Sequence, residues 1–145
     1  MKRPNLLYIF TDQQRADTMA CYGNDQIETP ALNHLARDSF VFDQAYVSQP
    51  VCSPSRATML TGLWPHTSGV PSCNKPLPAD VPTIAEMLPE DYACAYMGKW
   101  HLGDEIFAQH GFETWVGTEN SYRAHYSDAE RLTHHSDYAQ DLLER

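Results

Sequence analysis

The chain has 145 residues, with 10 Lys and Arg against 19 Asp and Glu, and so a formal net charge of −9. Its 42% apolar and 20% charged residues are typical of a globular protein, and the length allows one domain rather than two. This composition excludes wholesale disorder. The sequence has no run of about 18 apolar residues that could span a membrane. The deficit of Lys and Arg argues against nucleic-acid binding.

The start of the chain is basic, and a short apolar stretch follows at once. Residues 5–10 are apolar and β-rich and end at the polar cluster 11–15, which predicts a buried parallel strand followed by a loop. Because Thr11 and Asp12 interrupt the apolar stretch so early, we expect no secretory signal and a cytoplasmic location.

The next two segments predict a helix and a second strand. Thr29 and Pro30 provide an N-cap and a first helical residue, and the apolar residues that follow have helical spacing, so we expect a helix over 30–38. Residues 40–47 are aromatic and β-branched and predict a strand that leads to Pro50.

A short helix is expected to begin just after Cys52. Ser53 is a plausible N-cap, Pro54 a first helical residue, and Gly62 a terminator. Residues 63–82 are rich in Pro, Gly and Ser and predict a loop, and residues 82–88 predict the next helix.

The rest of the chain predicts a third strand and then a weaker pattern. Residues 92–97 are typical of a buried strand, and residues 128–143 of an exposed acidic helix. The alternation of strands and helices predicts an α/β fold with a mainly parallel sheet flanked by helices. Because ligands of such folds bind beyond the carboxyl ends of the strands, the polar clusters at 11–15, 48–56 and 98–103 mark the expected active-site edge.

The four cysteines do not indicate a disulfide scaffold, and their spacing with histidine shows no zinc motif. Cys21, Cys73 and Cys94 are interpreted as small apolar residues in a reducing compartment. Cys52 differs, because a helix N-terminus and Arg56 one turn on would favour an anion or an activated thiolate there. Taken alone, the same residues are equally consistent with a buried cysteine that caps a helix.

Two motifs carry a family resemblance. The pattern Cys52-x-Pro54-Ser55-Arg56-x-x-x-Leu60-Thr61-Gly62 resembles the signature of the type I sulfatases, which are formylglycine-dependent members of the alkaline-phosphatase-like superfamily. The stretch from Tyr92 to Gly103 resembles their second signature, and residues 4–15 and 63–88 are similar to the same family. The resemblance implies that residues 1–117 are the N-terminal part of a sulfatase catalytic domain. Residues 118–145 would be an acidic, partly helical tail that continues into a missing remainder.

The resemblance implies that Cys52 is the nucleophile after oxidation to formylglycine by a formylglycine-generating maturation enzyme. In the family, the aldehyde is hydrated and one hydroxyl attacks the sulfur of a sulfate ester, which displaces the alcohol. Loss of the proton from the other hydroxyl then expels sulfate and restores the aldehyde. Arg56 belongs to the motif that the maturation enzyme recognises.

The resemblance also implies one divalent metal ion, Ca²⁺, with Asp12, Gln13 and residue 52 as ligands. Carboxylate and amide oxygens suit calcium, although the family more often has two aspartates where Asp12 and Gln13 stand here. These three residues leave calcium short of its usual coordination of about 6–8 ligands, so we expect the isolated chain to be poorly active or inactive.

Lys99 and His101 are carried over from the second signature. Lys99 would hold a sulfate oxygen, and His101 would contact the diol and act as a base. Residues two apart in an extended segment face the same side, so we expect both to face the site while Trp100 packs away. Asn74 is a weaker candidate for a polar contact with the substrate, which would be a sulfated small molecule or glycan.

Two alternatives to a sulfuric ester hydrolase remain open from the sequence. The pair Asp12–Gln13 is also compatible with a phosphonate monoester or phosphodiester hydrolase of the same superfamily. The second alternative is a non-catalytic, truncated remnant that binds a partner through an unpaired sheet edge. The alcohol part of the substrate and the oligomeric state are not indicated.

Overall fold

The computed structural model describes residues 3–120 and 123–145. The chain divides into two compact units, Met1–Tyr46 and Val47–Arg145. The helices of the described residues are all too short or too polar to span a bilayer.

The first unit, as far as the structure describes it, contains one α-helix. Helix α1 spans Pro30–Arg37, with Pro30 as its first residue, and this confirms the predicted helix to within one residue. Two single 3₁₀ turns, Ala16–Thr18 and Ala20–Tyr22, precede it. None of the described side chains in this unit is buried.

The two strands predicted in the first unit are absent, so both predictions are wrong for this chain. Residues 5–10 and 40–47 form no ladder among the described residues, and their apolar side chains are exposed, with Leu7 at 83% and Tyr46 at 88%. A strand requires a neighbour that satisfies its backbone N–H and C=O groups, and the described part of the unit provides none.

The described residues of the second unit form four α-helices: α2 at Cys52–Thr61, α3 at Pro65–Ser68, α4 at Ile84–Met87 and α5 at Asp137–Glu144. Helix α2 begins at Cys52, two residues before the predicted first helical residue Pro54, and ends as predicted at Gly62, which has a left-handed φ of 72°. Helix α4 begins with a capping box formed by Thr83 and Glu86. Helix α3 lies within the predicted loop 63–82.

Strands β1 (Ala95–Gly98) and β2 (Thr114–Gly117) form a parallel pair, which agrees with the expected α/β fold. Strand β1 confirms the third predicted strand with a shift toward its C-terminal end, whereas β2 was not predicted. Tyr96 pairs with Trp115 on the partly buried face, while Met97 on the opposite face is 69% exposed, so the strand is half-buried rather than buried.

The core of the second unit lies between α2 and the parallel pair. Its buried apolar residues are Ala57, Leu60, Val70, Leu77, Trp100 and Leu102. The Trp100 ring meets Tyr96 and Trp115 edge-on, with ring centres 5.0 and 5.2 Å apart. This packing fixes the position of the chain just after β1, where the second motif lies.

The last described segment packs against this core through polar contacts. The predicted helix over 128–143 is only partly present, as a 3₁₀ turn at Arg131–Thr133 followed by α5. Ser136 caps α5, and Asp137 accepts a hydrogen bond of 2.9 Å from the backbone N–H of Gly117, which ends β2. The carboxylate of Asp104 accepts a hydrogen bond from the Ser127 hydroxyl.

Candidate active site

Cys52 is half-buried and is the first residue of α2. The preceding residue, Val51, is extended and contributes no side-chain cap. The positive end of the helix dipole therefore lies at Cys52, an arrangement that suits a bound anion.

Two further side chains lie beside Cys52. Each of Cys52, Cys73 and His101 offers one ligand atom, and these atoms lie within 4.8 Å of one another. His101 is 1% exposed, and both thiols are half-buried. The two motifs predict that Cys52 and His101 share one site, but the sequence gives Cys73 only a packing role and indicates no Cys/His cluster. Cys73 is half-buried, as a packing role requires, and the loop after α3 also brings its sulfur to the beginning of α2, a proximity that the sequence does not reveal.

The segment after β1 carries Lys99, Trp100 and His101 in a specific backbone conformation. His101 has a φ of 54°, in the left-handed region, so the extended alternation used to predict its direction does not continue to this residue. The buried carboxylate oxygens of Glu105 instead accept hydrogen bonds from the backbone nitrogens of Trp100 and His101, at 3.0 and 2.6 Å. Trp100 packs into the core, as expected.

Glu105 is fully buried beneath this segment. Burial raises the pKa of its carboxyl from 4.5 to about 7, and the two backbone hydrogen bonds and Arg56 only partly oppose that rise. The sequence does not reveal Glu105, because its role arises from folding rather than from a recognisable spacing.

Lys99 and Arg56 are both engaged within the protein. Lys99 Nζ lies 3.2 Å from a carboxylate oxygen of Glu119. Arg56 is 4% exposed and donates a hydrogen bond of 2.7 Å to the backbone carbonyl of Lys99, so the guanidinium joins α2 to the segment after β1. Its predicted contact with an anion at Cys52 stays a prediction.

Tyr126 is a second residue near the site that the sequence does not reveal. Burial raises its pKa, the nearby Glu105 and Cys73 raise it further, and Ser53 opposes the rise. Tyr126 also lines a cavity of about 350 Å³ together with Leu102 and His110.

The remaining predicted site residues are exposed. Asn74 follows Cys73 and has a left-handed φ of 59°. Asp12 and Gln13 belong to the first unit, where Gln13 has a φ of 53°. Their roles as a substrate contact and as calcium ligands stay predictions.

The family model and two relatives that match this chain are all described as sulfatases. The sequence model of the family described as Sulfatase matches residues 4–145, beyond the 4–117 over which the motifs are recognised. An ulvan-active sulfatase of Formosa agariphila is 36% identical over 83% of this chain and 25% of its own length. An N-acetylglucosamine-6-O-sulfatase of Bacteroides thetaiotaomicron is 35% identical over 79% of this chain and 20% of its own length.

A solved structure shows the same similarity in three dimensions. It is a protein in complex with its substrate, D-glucosamine-2-N,6-O-disulfate, and it matches with a TM-score of 0.74 and 33% identity over 84% of this chain and 24% of that one. The chain thus spans about a quarter of the length of the relatives that it matches.

Proposed function

The chain belongs to the sulfatase family, and we propose that it is the N-terminal part of a sulfuric ester hydrolase whose nucleophile derives from Cys52. The observation that carries the proposal is the position of Cys52 at the N-terminus of α2 with the buried His101 ring beside its thiol. A helix N-terminus favours an anionic ester, and a histidine close to the nucleophile is able to accept a proton from it, directly or through one water molecule.

We assign three roles to side chains of the second unit. Lys99 supplies a positive charge for a sulfate oxygen, in competition with Glu119. His101 holds or accepts a proton at the nucleophile. Arg56 sets the position of Lys99 through the carbonyl of that residue, in addition to its place in the motif that a formylglycine-generating enzyme recognises.

Formylglycine at residue 52 would supply a hydrated aldehyde in place of the thiol. The side chains of Asp12 and Gln13 are exposed oxygen donors of the type that Ca²⁺ prefers, which supports their proposed role as calcium ligands. Calcium would neutralise charge on the sulfate oxygens.

The substrate class follows from the relatives. Several of them are named for sulfated carbohydrates, and the matching structure contains a glucosamine disulfate. We therefore propose the sulfate ester of a carbohydrate or of a similar small alcohol, with Asn74 as a contact to the alcohol part.

The experiment uses the longest form of the protein that contains this chain, co-expressed with a formylglycine-generating enzyme. Peptide mass spectrometry should show residue 52 changed by the loss of one sulfur and two hydrogens and the gain of one oxygen. The Cys52→Ala variant should lose essentially all release of sulfate from an aryl sulfate, whereas the matched Cys94→Ala variant should retain it. Full activity of the Cys52→Ala variant would refute the nucleophile assignment.

A further inference from the structure

The side chains beside Cys52 form a group that calcium chemistry does not use. Cys52 lies at the beginning of α2, Cys73 in the loop after α3, and His101 in the segment after β1, yet their ligand atoms lie within 4.8 Å of one another. We propose that the unconverted, thiol form of the protein binds one Zn²⁺ ion through the sulfur atoms of Cys52 and Cys73 and one ring nitrogen of His101.

The spacing of the three atoms suits a tetrahedral zinc site. Zinc bonds of about 2.3 Å to sulfur and 2.0–2.1 Å to nitrogen place neighbouring ligand atoms about 3.4–3.8 Å apart. Atoms within 4.8 Å of one another reach that spacing by side-chain adjustments of about 1 Å. Three protein ligands leave the fourth position for a water molecule, as in zinc sites that stay open.

Zinc binds cysteine as the thiolate and histidine as the neutral imidazole. Binding releases one proton from each thiol and leaves the imidazole neutral. The positive charge of the bound ion itself stabilises both thiolates. Two sulfur ligands and one imidazole select zinc over calcium and magnesium, which prefer oxygen.

This site differs from the proposed calcium site in ligands and in chemical state. Conversion of Cys52 to formylglycine removes a sulfur ligand, so zinc binds only to molecules that have not been converted. The proposal does not depend on the hydrolase activity, because all three ligand atoms are present in the thiol form. Bound zinc would therefore shield the Cys52 thiol from oxidants and alkylating agents.

The test uses the reduced 145-residue chain, expressed without a formylglycine-generating enzyme and freed of metal with a chelator. Titration with Co²⁺, as a coloured substitute for Zn²⁺, should give one equivalent bound, a near-ultraviolet sulfur-to-cobalt band and the visible bands of tetrahedral cobalt. Added Zn²⁺ should abolish both sets of bands. Failure to observe a sulfur-to-cobalt band would overturn the proposal.

Variants separate this site from binding elsewhere. Cys73→Ser should weaken Zn²⁺ binding by about 100-fold or more, because one of three protein ligands is lost. Cys94→Ala is the matched control, since Cys94 is another half-buried cysteine of the second unit, and its affinity should be unchanged. Equal affinity of the Cys73→Ser variant and the unaltered chain would contradict the proposal.

A measurement on the unaltered chain covers the case in which a variant fails to fold. Zn²⁺ should slow alkylation of Cys52 and Cys73 by N-ethylmaleimide, as mapped by peptide mass spectrometry, and should leave the rates at Cys21 and Cys94 unchanged. If Zn²⁺ left the alkylation rates of Cys52 and Cys73 unchanged, the proposal would be overturned.

Discussion

The carboxyl of Glu105 holds the backbone on which Lys99 and His101 are presented. This fully buried carboxyl accepts hydrogen bonds from the backbone N–H groups of Trp100 and His101. The hydrogen bonds favour the carboxylate, whereas burial favours the protonated form, and burial is the larger effect on its pKa. The site therefore contains a group whose ionisation opposes folding.

The stability of the protein should depend on pH through Glu105. The pKa of Glu105 rises from 4.5 in the unfolded chain to about 7 in the folded protein. The stability that the protonated carboxyl contributes is therefore fully present below about pH 4.5 and is lost as the pH rises through 7. The loss amounts to at most about 3 kcal/mol. Denaturant unfolding of the Glu105→Gln variant should lack this component between about pH 5 and 8, whereas the exposed control Glu113→Gln should retain it. An identical pH dependence in both variants would contradict the assignment.

The ion pair between Lys99 and Glu119 should affect substrate affinity. An anionic ester and the Glu119 carboxylate compete for the same ammonium group, which lies 3.2 Å from Glu119. In the converted, longest form of the protein, Glu119→Gln should lower KM for an aryl sulfate by about fivefold, the equivalent of one modest ion pair. Steady-state kinetics would check this against Glu113→Gln. A higher KM would instead mean that Glu119 positions Lys99 for the substrate.

Individual elements were predictable where local chemistry determines them. Pro30 and Gly62 mark the start of α1 and the end of α2 in the sequence, because proline and glycine act on the backbone at their own positions. Strand β2 is only four residues long, too short for its sequence pattern to predict a strand, so its pairing with β1 is visible only in the fold. The motifs likewise indicated Cys52, Lys99 and His101, but no motif indicates Cys73 or Glu105, which reach the site through loop paths.

Gly117 at the end of β2 should not tolerate a side chain. A Cβ atom at this position would overlap the backbone carbonyl oxygen of Glu105, which also accepts a hydrogen bond from the Trp115 ring. Gly117→Ala should therefore lower the free energy of unfolding by about 1–3 kcal/mol through overpacking, and should reduce sulfate hydrolysis by displacing Glu105.

Gly62→Ala is a useful comparison for that variant. Gly62 has a left-handed φ of 72° but open space around it, so alanine there should cost about 1 kcal/mol through backbone strain alone. Denaturant titration measures both variants. A smaller loss for Gly117→Ala than for Gly62→Ala would contradict the steric explanation.

At the scale of the whole molecule, buried structure is confined to the second unit. Every buried described residue follows position 52, while residues 5–10 and 40–47 expose apolar side chains. The strand patterns of those segments satisfy the sequence requirements of a buried parallel strand. Pairing partners, which the described residues of the first unit do not provide, are a separate requirement that local sequence cannot reveal.

Amide hydrogen exchange should follow the same division. We expect slow exchange in α2 and over residues 100–105, which are buried, and fast exchange over residues 3–46. Hydrogen-exchange mass spectrometry of the 145-residue chain would measure this. Equal protection of both segments would show that the apolar stretches of the first unit are covered in solution.

The central claim is that this sulfatase-family chain contributes a formylglycine nucleophile for sulfate esters. The most direct test compares kcat/KM for an aryl sulfate and for the corresponding aryl monoester of a phosphonic acid, using the longest, converted form of the protein and its Cys52→Ala variant. We predict faster turnover of the sulfate, with loss of that turnover in the variant. Faster turnover of the phosphonate, or sulfate hydrolysis that survives Cys52→Ala, would contradict the claim.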